Sequence, residues 1–300
     1  RLSMFRSMHA IRSKFRSLVL ELDVGPAWAH GSSLAVCGIA CCAIVAALAA
    51  LPTGKEVAYG LIGDKNFGAA RERLVDLHED GRGDLHSAMA LHDVHLRFGD
   101  VDQADNVIQR ALKAYPAHAD LLKRAERFYA HTQQPAKRLA TLIRLLRVEP
   151  TSGVLDEALQ LLRLHSNYEG EKAILADFAN SPILNEAQHV RLAFFFAREQ
   201  NYDLAAKHFV RADRMSTKPN WRARMALYRI VLVEERFSQA QALVEQWLGG
   251  KAGKDQIAYF YHEAIEVGRT NLARNILDVA IRRGHMSQDD AGQMRRDAQG

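Results

Sequence analysis

The chain has 300 residues, of which 48% are hydrophobic and 25% are charged; this balance excludes a disordered chain and a uniformly membranous one. Its three cysteines, Cys37, Cys41 and Cys42, lie within six residues, which excludes a disulfide framework. The net charge is +5, but residues 1–23 alone carry +3. The remaining 277 residues carry 35 positive and 33 negative charges, too small a basic excess for a nucleic-acid-binding body. We therefore expect no nucleic-acid partner.

Residues 1–30 are predicted to form a basic amphipathic arm. Apolar residues recur there at three- and four-residue steps, and the arginines and the lysine lie largely off that stripe. This pattern is typical of a helix that lies on an anionic bilayer surface. An N-terminal helix packed on protein is the alternative interpretation. The apolar stripe within residues 2–22 consists of Phe5, Met8, Ile11, Phe15, Leu18 and Leu22.

Residues 31–52 are predicted to form a transmembrane helix. From Leu34 to Leu51 the chain carries eighteen residues without a charge, which as a helix would span about 27 Å, close to the hydrocarbon thickness. The alternative is a cleaved signal peptide, since Ala47 and Ala49 fit a small-x-small cleavage site. The apolar run is longer than an ordinary signal-peptide core, which favours the anchor.

The distribution of basic residues predicts the orientation of this helix. Five basic residues precede the apolar run, and Lys55, Lys65 and Arg71 follow it. The bias places the N-terminus in the cytoplasm, so we expect a single-pass protein of a bacterial inner membrane with its body in the periplasm. A stripe of small residues on the predicted helix also allows homo-oligomer formation through the membrane. The stripe consists of Gly38, Cys42, Ala46 and Ala50.

After residue 55 the sequence shows helical periodicity and an internal repeat of about 34 residues. Pro116 and Pro150 are 34 residues apart, each at a predicted helix end. Short helices alternate with Gly, Asp, Pro or Asn-Tyr punctuation. Small residues near the start of every second helix recur with the same period; we assign them as Ala70, Ala104, Ala173, Ala205, Ala240 and Ala273.

Three of these alanines are followed by a large apolar residue four positions on and a small one three further, as in Ala104, Ile108, Ala111, then Pro116. The pattern recurs as Ala205, Phe209, Ala212 and as Ala273, Leu277, Ala280. Asn66-Phe67, Asn167-Tyr168, Asn201-Tyr202 and Arg236-Phe237 have the composition of turns between paired helices. This part of the chain resembles the tetratricopeptide repeat (TPR) family, in its membrane-anchored bacterial form.

The resemblance implies an all-α fold. It predicts a right-handed superhelical solenoid of about seven helix pairs over residues 55–285, with a polar cap or tail at 286–300. Two residues depart from the pattern. Arg138 stands where alanine is expected, and His92 stands where the family has a small residue, which suggests a splayed repeat.

Catalytic motifs are absent from the sequence. His86, His92 and His95 share one predicted helix, which raises the alternative of a metal-dependent enzyme, but no ligand motif surrounds them. The sequence has no phosphate loop, nucleophile elbow or zinc-protease signature. We therefore expect no enzyme activity, no metal and no cofactor.

The first helix of each pair is the expected site of partner binding. In a solenoid of this kind these helices line the concave groove, and their inward positions carry basic and apolar residues suited to a protein or an acidic peptide. The predicted binding residues are Arg97, Lys123, Arg127, Arg198, Arg222 and Arg229, with Met89, Phe194 and Met225; Leu162 belongs to the same inward frame.

The function expected from the sequence is that of a membrane-anchored scaffold for protein–protein interaction. Resemblance to bacterial anchor-plus-repeat proteins implies a cell-envelope assembly, in secretion, quality control or exopolysaccharide export. A helical solenoid that binds an oligosaccharide or another small ligand is the alternative.

Overall fold

The computed structural model describes residues 40–43, 52–250 and 252–298. The predicted arm lies outside these ranges, as does most of the predicted transmembrane segment; its residues 40–43 are helical and exposed. Among the described residues, no helix combines the length and the apolar character that crossing a membrane requires.

The described residues 52–250 and 252–298 are all-α and contain no strand. Short interhelical segments of a few residues separate the helices. The helices are α1 Gly54–Gly63, α2 Phe67–Glu79, α3 Leu85–Arg97, α4 Val101–Ala114, α5 Ala119–His131, α6 Pro135–Val148, α7 Ser152–Leu164, α8 Tyr168–Asp177, α9 Glu186–Arg198, α10 Tyr202–Met215, α11 Trp221–Val233, α12 Phe237–Trp247, α13 Lys254–Glu266, α14 Thr270–Arg282 and α15 Gln288–Asp297.

The first fourteen helices form seven pairs, each joined by a three-residue turn. The middle residue of every turn has a left-handed backbone, with φ between 52° and 73°. Side chains of Asn66, Asn167 and Asn201 then accept the backbone amide three residues on and cap the second helix. The left-handed residues are Lys65, Gly99, Gln133, Ser166, Gln200, Glu235 and Gly268, spaced 33 to 35 residues apart. The predicted period of about 34 is therefore confirmed in the backbone.

The chain divides into two compact units, Arg1–Gln109 and Arg110–Gly300. In the first, α1 packs on α2 and α2 on α3, around a core that includes Ala58, Ala70 and Leu74. In the second, successive helices pack on each other from α5 to α12 and from α13 to α15; α11 also packs on α13, and α12 on α14. First helix on first and second on second is the stacking of a helical solenoid.

The left-handed turns define equivalent positions in the seven pairs. Five residues after each turn residue, Ala70, Ala104, Ala205, Ala240 and Ala273 are fully buried, because alanine lets two helix backbones approach closely. The assignment of Ala173 to this position is wrong: Ala173 is exposed. The equivalent residue is Glu171, two positions earlier, which the sequence pattern of small residues could not reveal.

The third and fourth pairs carry charged residues at this position. In the third, Arg138 donates from Nε to Glu126 of α5 at 2.7 Å and from its terminal nitrogen to Glu157 of α7 at 2.6 Å. In the fourth, the fully buried Glu171 accepts from Arg163 of α7 at 2.6 Å and from Arg191 of α9 at 3.0 Å. Ion pairs thus replace the alanine contact, with each charge satisfied by a neighbouring helix.

His92 is buried in the second helix pair and contacts α4. Its ring is fully buried, and Nδ1 lies 3.1 Å from the carbonyl oxygen of Ala104 on α4. His95, also buried, has Nδ1 3.7 Å from Asp100. Both rings are thus buried and in polar contact, and the splayed repeat expected at His92 stays a prediction.

The predicted polar end of the chain contains α15. Ser287 caps this helix by accepting the Asp290 amide at 3.1 Å. Lys254 pairs with Asp290 at 2.7 Å, and Arg295 pairs with Asp278 at 3.3 Å. These contacts fasten α15 to α13 and α14, while Ala291 is buried against the core.

Candidate functional site

A cavity of 530 Å³ opens among α9, α10, α11 and α13 in the 110–300 unit. Its volume lies within the range of about 300–1,000 Å³ that is typical of ligand pockets. Most of its wall is apolar. The lining residues are Phe194 and Ala197 of α9; Tyr202 and Phe209 of α10; Arg222, Met225, Ala226, Arg229, Ile230 and Val233 of α11; and Tyr259 of α13. We call it the α9–α13 cavity.

Helix α11 supplies six lining residues because of its sequence periodicity. They fall at helix steps of three and four, which places them along one stripe. The opposite side of α11 carries Ala223, Leu227, Tyr228 and Val231, all buried in the core. One face of α11 therefore anchors the helix, and the other is left for the cavity.

The aromatic floor of the cavity depends on the close pairing of α9 with α10. Ala193 of α9 and Ala205 of α10 are both fully buried. Near them, the ring of Phe194 meets the ring of Phe209 edge-on, with centroids 5.0 Å apart. Edge-to-face packing of this kind stabilises aromatic pairs beyond the burial of their surface. The floor is thus preorganised by core packing.

On the α13 side, Tyr259 directs its hydroxyl towards the carbonyl oxygen of Met225, 3.5 Å away. Burial, followed by the charge of Glu263, raises the pKa of Tyr259 to about 12. The phenol therefore stays protonated at neutral pH and can donate a hydrogen bond.

Two arginines at the edge of the cavity have different electrostatic environments. The guanidinium of Arg222 lies over the ring of Phe194, 5.0 Å from its centroid, and no carboxylate of the described residues pairs with it. Arg229 has its Nε 3.7 Å from Glu263 Oε2. Arg222 thus contributes positive charge that no carboxylate of the described chain neutralises.

The structure brings together four of the nine predicted binding residues, namely Phe194, Arg222, Met225 and Arg229. Arg222 and Arg229, seven residues apart, both lie on the face of α11 that lines the cavity. Leu162 is different: it is 2% exposed and belongs to the core, because it packs inside the fourth helix pair.

The other five lie elsewhere. Lys123 and Arg127 are exposed on α5, where Lys123 pairs with Glu149 at 2.7 Å and Arg127 Nε donates to the Lys123 carbonyl at 3.3 Å. Arg198 is exposed at the end of α9. Met89 and Arg97 belong to α3 in the 1–109 unit, where Arg97 lies over the Phe67 ring at 4.5 Å.

Sequence reasoning missed the contributions from the second helices and from α13. Tyr202 and Phe209 lie on α10, whose residues were not expected in the groove. Tyr259 follows Met225 by 34 residues, so the repeat period itself was a signal that could have identified it.

A buried histidine pair lies beside the floor of the cavity. His189 of α9 and His208 of α10 approach with their Nδ1 atoms 3.1 Å apart, and His208 also stacks on Phe196 with centroids 5.6 Å apart. Burial is the main cause that lowers both pKa values, that of His189 to about 4. Both rings are therefore neutral at pH 7, one donating to the other.

Neither this pair nor the predicted histidine group of α3 completes a metal site. Among the described residues, no group of three or more His, Cys, Asp or Glu side chains is placed to hold a metal ion. His92 and His95 instead make the interhelical contacts given above.

No protein-family model matches the chain, and no curated protein matches it. Solved structures that are similar to it include three TPR or pilus-related proteins. A TPR protein from Parabacteroides merdae is 14% identical, with 82% of this chain and 97% of that chain covered and a TM-score of 0.34. YrrB, a TPR protein with an unusual peptide-binding site, is 14% identical, with 63% and 97% covered and a TM-score of 0.39. PilW, a type IV pilus biogenesis factor, is 15% identical, with 70% and 98% covered and a TM-score of 0.34.

Proposed function

We propose that this protein is a non-catalytic scaffold that binds a segment of another protein in the α9–α13 cavity. The observation that carries the proposal is the second face of α11, which lines an open cavity with apolar side chains and two arginines. Apolar surface that a folded chain leaves uncovered, rimmed by polar groups, is a mark of interaction sites.

The lining supports binding over catalysis. Its ionisable groups are two arginines and two tyrosines. Arginine stays protonated and cannot act as a base, and Tyr259 has its pKa raised to about 12. The described lining thus contains neither an acid–base group poised near neutral pH nor an activated nucleophile.

The proposal is tested by copurification of the chain from its native cells, lysed in mild detergent. The variant Arg222→Glu/Arg229→Glu reverses the cavity charges, and Lys123→Glu/Arg127→Glu reverses two exposed basic residues of α5, outside the cavity, as the control. We expect the cavity variant to lose the partner proteins and the α5 variant to retain them. Equal retention by both variants, with circular dichroism unchanged, would contradict the proposal.

We propose in addition that residues 31–52 anchor the scaffold in a bacterial inner membrane, with the repeats in the periplasm as part of a cell-envelope assembly. The support is the uncharged run from Leu34 to Leu51 and the basic residues before it. Reporter fusions after Lys55 test the orientation. A phosphatase that is active only in the periplasm is expected to be active in this fusion. An inactive phosphatase fusion together with a fluorescent cytoplasmic reporter fusion would reverse the proposed orientation.

A further inference from the structure

We infer that the segment bound in the α9–α13 cavity carries a bulky apolar side chain next to a carboxylate, with the apolar group on the aromatic floor and the carboxylate on Arg222. This inference rests on the proposed function and specifies the chemistry of its ligand. Its two halves come from separate observations, namely the shape of the floor and the charges at the edge.

The floor selects a bulky apolar group. Phe194, Phe209 and Ile230 form apolar walls, while Ala197 and Ala226 leave space between the helices because their side chains are short. Filling this volume removes apolar surface of both partners from water, at about 25 cal/mol per Å². A sugar would leave most of its hydroxyl groups without a hydrogen-bond partner here, since few lining groups are polar.

The edge favours an anion, because the positive charge of Arg222 has no carboxylate partner among the described residues. Its guanidinium carbon lies over the Phe194 ring, 5.0 Å from the centroid. The N–H groups of a guanidinium lie in one plane, the arrangement that bonds a carboxylate in a bidentate way. Since no described carboxylate pairs with Arg222, a ligand carboxylate would meet an unneutralised cation.

The second arginine indicates where the anion binds. Arg229 lies two helical turns from Arg222, about 10 Å along α11. It is already 3.7 Å from Glu263, a carboxylate that is only 14% exposed and therefore fixed in place. An acidic ligand group near Arg229 would also approach Glu263 and be repelled by it. The carboxylate is thus favoured at the Arg222 end of the cavity and disfavoured at the Arg229 end.

The test is a selection of random twelve-residue peptides displayed on phage against the full-length chain in mild detergent. Binders are then synthesised with a fluorophore and titrated by polarisation against the parent and against Arg222→Gln, Arg229→Gln and the control Arg127→Gln. We expect enrichment of an aromatic or branched apolar residue with Asp or Glu within two positions. Replacing that acid by its amide should weaken binding about tenfold, as loss of a charged hydrogen bond does.

The variants distinguish the roles of Arg222 and Arg229 in binding the acidic group. Arg222→Gln should abolish the difference between the acidic peptide and its amide, whereas Arg229→Gln and Arg127→Gln should preserve it. Arg222→Lys, which keeps the charge but lacks the planar fork, should restore part of the difference. Circular dichroism of each variant checks that the helices are intact.

Failure of this inference is distinguishable from failure of the proposed function. If Arg222→Glu/Arg229→Glu releases the native partners but the selected peptides show no acidic preference, or no cavity-dependent peptide is selected, the ligand chemistry is wrong and the interaction site stands. If neither partners nor peptides respond to cavity variants, both are wrong. Peptides that prefer lysine or arginine would also overturn the inference.

Discussion

Two stretches of the 110–300 unit solve the same packing problem in opposite ways. In α9–α14, the residue five places after each left-handed turn is Ala205, Ala240 or Ala273, fully buried. In α5–α8 the equivalent residues are Arg138 and Glu171, joined to neighbouring helices by ion pairs. A helix pair therefore needs this position filled and its polar atoms satisfied, and alanine is one of several residues that meet this need.

The difference also has a consequence for the site. Close pairing through Ala193 and Ala205 leaves the larger side chains of α9 and α10, Phe194 and Phe209, to form an apolar floor. In α7–α8 the equivalent position is filled by the buried Glu171, which pairs with Arg163 of α7 and Arg191 of α9. The apolar cavity therefore lies in the alanine-paired stretch.

Placing the glutamate of one stretch at the alanine position of the other should produce the largest loss of stability. Ala205→Glu puts a carboxylate into the α9–α10 contact without the arginines that Glu171 has. We expect a loss of about 4 kcal/mol or more in the free energy of unfolding, from overpacking and an unpaired buried charge. Urea denaturation followed by circular dichroism measures it, with Ala205→Ser as the small polar control. A loss below about 1 kcal/mol would contradict the equivalence of the two positions.

Removing the charge of Glu171 from the α5–α8 stretch should destabilise the protein somewhat less. Glu171→Gln leaves Arg163 and Arg191 without their carboxylate, but these side chains are 50% and 42% exposed and can regain water. We expect a loss of about 3 kcal/mol, the lower end for a broken buried pair. The control is Glu169→Gln, which removes an exposed charge from the same first turn of α8 and should change stability by less than about 0.5 kcal/mol. Equal effects of the two variants would refute the structural role of Glu171.

Acid sensitivity should distinguish the alanine-paired stretch. His189 has its pKa lowered from 6.5 to about 4, first by burial, then by His208 and Arg211; Lys207 and Arg211 act in the same direction on His208. The unfolded chain therefore binds more protons between these values, and the stability present above pH 6.5 is lost as the pH falls towards 4. For His189 alone the loss at pH 5 is about 2 kcal/mol.

This loss is measured as the change of the urea midpoint between pH 7 and pH 5. The double variant His189→Leu/His208→Leu replaces both polar rings by apolar groups, so its midpoint should change less over that interval. Hydrogen exchange should locate the acid-induced opening in α9 and α10. An identical pH dependence of the parent and the double variant would show that the pair does not control it.

The periodic part of the fold was accessible from the sequence, because alanine followed by a large apolar residue repeats with the helix pair. The charged substitutions were less accessible. Glu171 is buried because Arg163 and Arg191 approach it from two other helices, and nothing in its local sequence reports those partners. Four of the turns were predicted from their composition, but their left-handed backbone was hidden, since only Gly99 and Gly268 among the seven left-handed residues are glycine.

The candidate site divides in the same way. Helical spacing was enough to place Arg222, Met225 and Arg229 on one face of α11. It could not show that Lys123 is engaged by Glu149, or that Phe209 reaches the cavity from a second helix. Contacts between residues of different helices decide these points, and a periodic pattern does not contain them.

Photo-crosslinking tests the central claim, that partners bind at the α9–α13 cavity, most directly. Val233 and Leu164 lie at equivalent places, two residues before the left-handed turn residue, and both are exposed, at 55% and 75%; Val233 lines the cavity. The photoreactive residue p-benzoylphenylalanine is introduced at each position in the full-length chain, and cells are irradiated. We predict a partner crosslink from position 233 that Arg222→Glu/Arg229→Glu removes, and no such crosslink from position 164. Crosslinks of equal yield from both positions, or from position 164 alone, would contradict the account.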